Sequence, residues 1–158
     1  MSSEPSKLYL NWEQVQRDGE LLADKLRDKG PWTGIVAVAR GGLNPALTLA
    51  TELDIRLIET FCIVSYDEND KQGDAAILKG LEHLGDGSGW LVVDDLVDSG
   101  KTYDIIRGHL PKAHFSCLYG KPNGIPSTDT YVVDVPQDTW VFFPWELKAD
   151  APEKMKLA

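Results

Sequence analysis

A chain of 158 residues with 42% apolar and 26% charged side chains has the size and make-up of one domain with its own core. Its net charge of −9 speaks against non-specific nucleic-acid binding, which rests on Lys and Arg meeting phosphates. The start, Met1 to Pro5, has neither the basic nor the apolar part of a secretory signal, and no apolar run nears the roughly 18 residues of a membrane span.

In chain order, Asn11 and Gln14 have the spacing of a capping box. Apolar positions at Trp12, Val15, Leu22 and Leu26, with Leu21 beside them, predict one packing face of a helix that Gly30 and Pro31 end. Gly34 to Ala39 reads as a buried strand, broken at once by Arg40, Gly41 and Gly42. Asn44 and Pro45 fit the N-cap and first turn of a helix running to Leu53, and a second strand is expected from Ile55 to Val64. Strand, helix, strand is a βαβ unit, with a right-handed crossover expected.

Ser65 to Ala76 is polar and without period, so a long mobile loop is expected there, with Ile77 to Glu82 returning as a strand to make a flap. Gly85 to Gly89 is a turn. A strand begins at Trp90, a helix spans Thr102 to Leu110 before Pro111, and a strand covers His114 to Tyr119. Lys121 to Pro126 is a loop, Tyr131 to Val135 a short strand, and the polar tail from Lys148 to Ala158 is expected to fray. The two cysteines, Cys62 and Cys117, lie in apolar runs outside any metal or redox spacing, which points to buried thiols and a reducing cytoplasm. The order of elements predicts an α/β domain around a mostly parallel sheet.

The segment Trp90 to Thr102 carries the most chemistry. Four apolar residues run into Asp94 and Asp95, placing paired carboxylates where a buried strand leaves the core, at the rim where open α/β sheets bind ligands. Asp98, Ser99, Gly100, Lys101 and Thr102 follow, small and hydroxylated, suited to wrapping backbone N–H groups around a phosphate at a helix start. One segment thus offers acceptors for a polyol and donors for a phosphate. Gly100, Lys101 and Thr102 could end a nucleotide-triphosphate P-loop, but that motif needs glycine where Asp95 stands, and a carboxylate there would repel phosphates.

All thirteen positions from Trp90 to Thr102 resemble the phosphoribosyl pyrophosphate (PRPP) signature of the type I phosphoribosyltransferases. Lys121-Pro122, Asp134 to Trp140, Val36 to Leu43 and Ser65 to Asp67 are similar to the bacterial xanthine-guanine branch of that family. The resemblance implies a single domain with a mostly parallel central sheet flanked by helices (about 11–120), a small hood from the N-terminal segment and about 121–147, and a flexible flap loop. It implies transfer of ribose 5-phosphate from PRPP to a 6-oxopurine, guanine or xanthine before hypoxanthine, with Mg2+ as cofactor. It also implies a homo-oligomer, dimer or tetramer, and leaves open a peripheral membrane association.

On that resemblance Asp94 and Asp95 accept from the ribose hydroxyls, and Asp95 serves the magnesium. The backbone from Leu96 and Val97 onward, with Ser99, Gly100, Lys101 and Thr102, holds the 5-phosphate. Arg40 and Gly41 bind pyrophosphate. Asp98 sits beside the purine N7, as general base or for orientation only. Lys121 donates to O6, Trp140 stacks on the base, and backbone groups of Trp140 and Val141 face its 2-substituent. Two departures stand out: the relatives' loop arginine is absent, leaving Lys71 as the nearest cation, and the tail after Trp145 is less apolar than theirs. The same fold acting on another base, or a PRPP-binding regulator without turnover, are the competing readings.

Overall fold

The computed structural model describes residues 4–65 and 75–148. Along the chain these form β1 (Lys7–Tyr9), α1 (Trp12–Leu26), β2 (Gly34–Ala39), α2 (Leu43–Glu52), β3 (Ile58–Ser65), β4 (Ala75–Lys79), β5 (Trp90–Val97), α3 (Lys101–His109), β6 (His114–Gly120), β7 (Val133–Asp134) and β8 (Trp140–Phe142), with short 3-10 turns between.

Six strands make the central sheet, in the order β4-β3-β2-β5-β6-β7. Every neighbouring pair is parallel except β3 with β4, an antiparallel pair beneath the expected flap. At its foot Glu59 is tied to Lys79, to the Thr60 N–H and, at 2.9 Å, to His83, which together hold its carboxyl down at about 2. The centre of the flap, with Tyr66, Asp67 and Lys71, lies outside the described residues, as does the tail from 149 onward. A separate two-stranded sheet joins the chain's two ends, β1 lying parallel to β8.

The core has two halves, one on each face of the sheet. Val15, Leu22 and Leu26 of α1 and Ala46 and Leu49 of α2 pack on Ile35, Ala37, Leu91 and Val93. Tyr103 and Ile106 of α3 pack on Val36, Val38, Val92, Phe115 and Cys117. The strands are near-continuous apolar runs because helices cover both faces.

The capping box forms as expected: the Asn11 side chain accepts from the Gln14 N–H at 2.8 Å, and the Gln14 side chain accepts from the Asn11 N–H at 2.9 Å. The helix face differs from the apolar spacing. Trp12 is 56% exposed and Leu21 45% exposed, while Asp18 is buried and receives the Tyr119 hydroxyl from β6. A tertiary hydrogen bond thus overrides the hydrophobic pattern.

Other boundaries shift. Helix α2 starts at Leu43 with Gly42 as its N-cap, not at Asn44 and Pro45, because the Gly42 N–H bonds Val38 and the Leu43 N–H bonds Arg40, turning the chain early. Strand β3 starts at Ile58 rather than Ile55, whose N–H goes back to Ala50. Strand β4 ends at Lys79, β7 shrinks to two residues and joins the central sheet, and α3 begins one residue early, at Lys101. Asn11→Ala removes an acceptor from the first turn of α1, a loss of about 1 kcal/mol. Calorimetry should show the thermal midpoint falling by about 2–4 °C.

Candidate active site

Strand β5 does not stop at the paired acids. It runs on to Val97, so Asp94 and Asp95 are strand residues, half-buried at the rim. Strict alternation fails there. Leu91, Val93 and Leu96 pack on the α1/α2 side, whereas Val92 and Val97 pack on the α3 side. The ladder with β6 pairs Asp94 with Cys117 and next Leu96 with Tyr119. The pairing register is unbroken across the acids, and both carboxyl groups line one cleft.

Each acid spends one oxygen on the backbone: Asp94 Oδ1 accepts from the Asp95 N–H at 2.8 Å, and Asp95 Oδ1 from the Leu96 N–H at 2.7 Å. Burial, and then the Asp95 charge, raise the Asp94 carboxyl well above the ordinary range. Burial also raises Asp95, with Glu146 adding a like charge.

A cleft of about 850 Å³ opens over these acids, lined by Arg40, Gly41, Asp94, Asp95, Thr102 and Glu146 among others. Arg40 and Gly41 follow β2, the neighbour of β5, and the Ala39–Arg40 peptide is cis. A β-carbon at Gly41 would run into the Asp95 carboxyl group, so this position admits the acid only because it lacks a side chain. Glu146 arrives from the short turn after β8 and was not singled out from the sequence, since nothing local ties it to Asp95.

A second cavity, of about 130 Å³, shares Asp94 and Thr102 with the first and is lined by Leu96 to Thr102. Gly100 has φ +85°, and a β-carbon there would lie 2.6 Å from the Ser127 hydroxyl. Only glycine makes this turn into α3 without strain. Lys101 and Ser99 are exposed, and the Ser99 hydroxyl accepts from the Lys101 N–H at 3.4 Å.

Beyond the phosphate turn, Lys121 at the end of β6 is 6% exposed, with its ammonium 3.3 Å from Asp98 Oδ2. Gln137, also missed from the sequence, donates to Asp98 Oδ1 at 2.8 Å. Trp140 is 63% exposed, so it is not a core aromatic. Its N–H donates to Ser6 at 2.8 Å and Leu10 donates to Phe142 at 3.0 Å, so the Trp140 N–H is committed to β1. By the alternation of a parallel ladder, the N–H and C=O of Val141 point away from β1. Trp140 and Val141 line neither of the two cavities above.

Neither cysteine lines either cavity: Cys117 is buried in β6 as expected, where burial and then Asp94 push its thiol far up, whereas Cys62 is only half-buried in β3. No helix among the described residues is long and apolar enough to cross a membrane.

A mostly parallel sheet with paired acids and a glycine turn at its carboxyl rim defines a single-domain protein of the open α/β class, in which ligands bind along that edge as a rule. Residues 7–152 match the phosphoribosyl transferase domain, and the chain belongs to that family. It is 49% identical over 150 residues to a xanthine-guanine phosphoribosyltransferase of Desulfotalea psychrophila, covering 94% of this chain and 92% of that one. Among solved structures it is similar to a purine phosphoribosyltransferase from Pyrococcus horikoshii (TM-score 0.77, 31% identity, 94% of this chain and 99% of that one). It is also similar to a xanthine-guanine-hypoxanthine phosphoribosyltransferase of Helicobacter pylori (TM-score 0.72, 25% identity, 89% and 94% covered).

The raised acids make a stability prediction. An unfolded Asp ionises near pH 4, whereas Asp94 in the folded chain ionises only at higher pH. Above about pH 4 the unfolded state gives up its proton first, so this group lowers stability as pH rises. Asp94→Asn, which keeps the acceptor for the Asp95 N–H, should therefore raise the thermal midpoint of the ligand-free protein at pH 7. The gain should shrink toward pH 4. A midpoint at pH 7 no higher than wild type would contradict the buried-charge account.

Proposed function

We propose that this chain transfers ribose 5-phosphate from PRPP to a 6-oxopurine, releasing pyrophosphate, as a purine-salvage enzyme of the cytoplasm acting as a homo-oligomer. The observation that carries the reading is the cleft where Arg40, Gly41, Asp94, Asp95 and Thr102 meet, adjoining the smaller cavity around Gly100.

The donor's parts find partners in order along the rim. Arg40 and the Gly41 backbone take the pyrophosphate. The second oxygens of Asp94 and Asp95 take the ribose hydroxyls through charge-assisted hydrogen bonds, roughly twice as strong as neutral ones. The turn from Asp98 to Thr102 and the start of α3 take the 5-phosphate, with backbone N–H groups and the helix's positive end.

Among the described residues no group of three or more His, Cys, Asp or Glu side chains is placed to hold a metal ion. The two raised acids nevertheless fit Mg2+, which is typically bound through one or two carboxylates plus substrate phosphates. Asp95, with Asp94 beside it, would hold the ion, which supplies charge neutralisation of the departing pyrophosphate.

At the base, Lys121 and Asp98 form a donor and an acceptor 3.3 Å apart. A 6-oxopurine protonated at N7 offers the complementary edge, an acceptor at O6 next to a donor. As the base attacks the sugar, Asp98 takes the N7 proton. A 6-aminopurine would set its amino donor against the buried Lys121 donor, an unpaired arrangement costing about 1–3 kcal/mol. Trp140 stacks on the base plane. The outward C=O of Val141 suits the 2-amino group of guanine and its N–H the 2-oxo group of xanthine, while hypoxanthine leaves both unpaired. Lys71 lies outside the described residues, so its part in holding pyrophosphate rests on the sequence alone.

Incubation with PRPP, magnesium and each of guanine, xanthine, hypoxanthine and adenine should yield nucleotide from the first two most readily and none from adenine. Asp98→Asn should lower kcat by ~10²–10⁴-fold. Its KM for PRPP should stay within about twofold, because the lost interaction belongs to the base. Unchanged turnover in that variant would remove the general-base role.

A further inference from the structure

Asp98 sits on an exposed turn, and 59% of its side chain is open to solvent. A carboxylate so placed would ordinarily sample several rotamers. Here both oxygens are held: Oδ2 by the Lys121 ammonium at 3.3 Å, and Oδ1 by Gln137 Nε2 at 2.8 Å. Gln137 is itself fixed at its other end, where its Oε1 accepts from the Asn123 N–H at 2.8 Å. A backbone N–H can only donate, so the amide's oxygen must face Asn123 and its NH2 must face Asp98. The amide therefore clasps the loop that carries Lys121 to the acid that Lys121 touches.

We propose that Gln137 is a positioning residue for Asp98: its amide occupies Oδ1, so that Oδ2, beside Lys121, is the oxygen presented to the base. This rests on the reading of Asp98 as the group that takes the N7 proton. Gln137 lies between β7 and β8, three residues before Trp140, so one loop brings both the aromatic for the base plane and the clamp for its edge.

Two substitutions separate positioning from simple loop support. Gln137→Glu keeps an acceptor for the Asn123 N–H but sets a second carboxylate against Asp98. Gln137→Met removes both bonds without adding charge. The other groups facing Asp98 are unaltered: Lys121 from the loop after β6, and Asp94 and Lys101, which line the same small cavity. A second anion makes the pair hold a proton more tightly. With guanine at saturating PRPP, kcat of Gln137→Glu is expected to fall about tenfold or more at pH 7, the scale of a lost hydrogen bond to a charged group. It should rise with pH only as far as Gln137→Met, because an ionised carboxylate cannot donate to Oδ1, with its acid limb displaced to higher pH and the KM for PRPP unchanged. Gln137→Met should be slower at every pH with the limb unmoved.

An acid limb in Gln137→Glu that coincides with wild type would overturn the proposal. So would losses in both variants that merely track a lowered thermal midpoint and an altered KM for PRPP. Asp98→Asn run alongside separates the two levels. If it keeps full turnover, the reading of Asp98 falls and takes this role with it. If it loses turnover while Gln137→Glu behaves as wild type, only the assignment of Gln137 falls.

Discussion

Two carboxyl groups side by side at the end of a buried strand are costly to desolvate, and much of the surrounding architecture accommodates them. Asp94 and Asp95 line one cleft, and the Asp95 and Leu96 N–H groups each satisfy one oxygen. The bare backbone at Gly41 makes room for the Asp95 carboxyl, and Gly42 makes room for the Val93 carbonyl just before the pair. The remaining oxygens are left with repulsion, sharpened by Glu146, until something donating or cationic arrives. A site built this way gives up stability in the empty protein for affinity in the loaded one, the usual direction of a stability–activity trade-off.

The order of strands then arranges the chemistry in space. Reading across β2, β5, β6 and β7, the loops at the rim supply Arg40 and Gly41, then the acids and the Gly100 turn, then Lys121, then Gln137 and Trp140. On the proposed reading these meet pyrophosphate, sugar phosphate and base in that sequence. On that reading the substrate would lie across the sheet edge at right angles to the strands, each part meeting a different loop. Parallel strands put all these loops on one rim, so the layout follows from topology rather than from any one motif.

How much of this was legible in the sequence depended on how local the cause was. The bounds of β2 and the Asn11–Gln14 box rest on neighbours in the chain, and each stands where the residues put it, whereas the strand in the thirteen-residue signature runs on past its acids. Asn44 and Pro45 carried a strong local signal for a helix start, yet hydrogen bonds from Gly42 to Val38 and from Leu43 to Arg40 set the boundary. Trp12 and Asp18 exchanged the positions that hydrophobicity assigns them because the partner of Asp18, Tyr119, lies far along the chain. Glu146 and Gln137 escaped for the same reason: their meaning comes from Asp95 and Asp98, which only the folded chain brings near. Gln137 even stood inside a motif recognised as a whole, but a pattern of residue types does not say which side chain touches which.

Charge gives the last constraint. The chain carries −9 overall, and the cleft of the described residues holds Asp94, Asp95 and Glu146 against Arg40 and Lys148. A substrate bearing a phosphate and a pyrophosphate adds more negative charge than those cations neutralise. On the proposed reading, backbone N–H groups, Lys101 and the start of α3 would offset part of it at the smaller cavity, which also holds Asp94 and Asp98. In the larger cleft, which the proposed reading gives to the pyrophosphate, Asp94, Asp95 and Glu146 would suit a divalent ion sharing its coordination between protein carboxylates and substrate oxygens. Such an ion would be drawn to the protein most strongly when the substrate accompanies it, because the carboxylates alone number too few to encage it. On the proposed reading, the acids that destabilise the empty fold would make occupancy of the sugar site and of the cation site depend on one another, a coupling that linkage requires to be reciprocal.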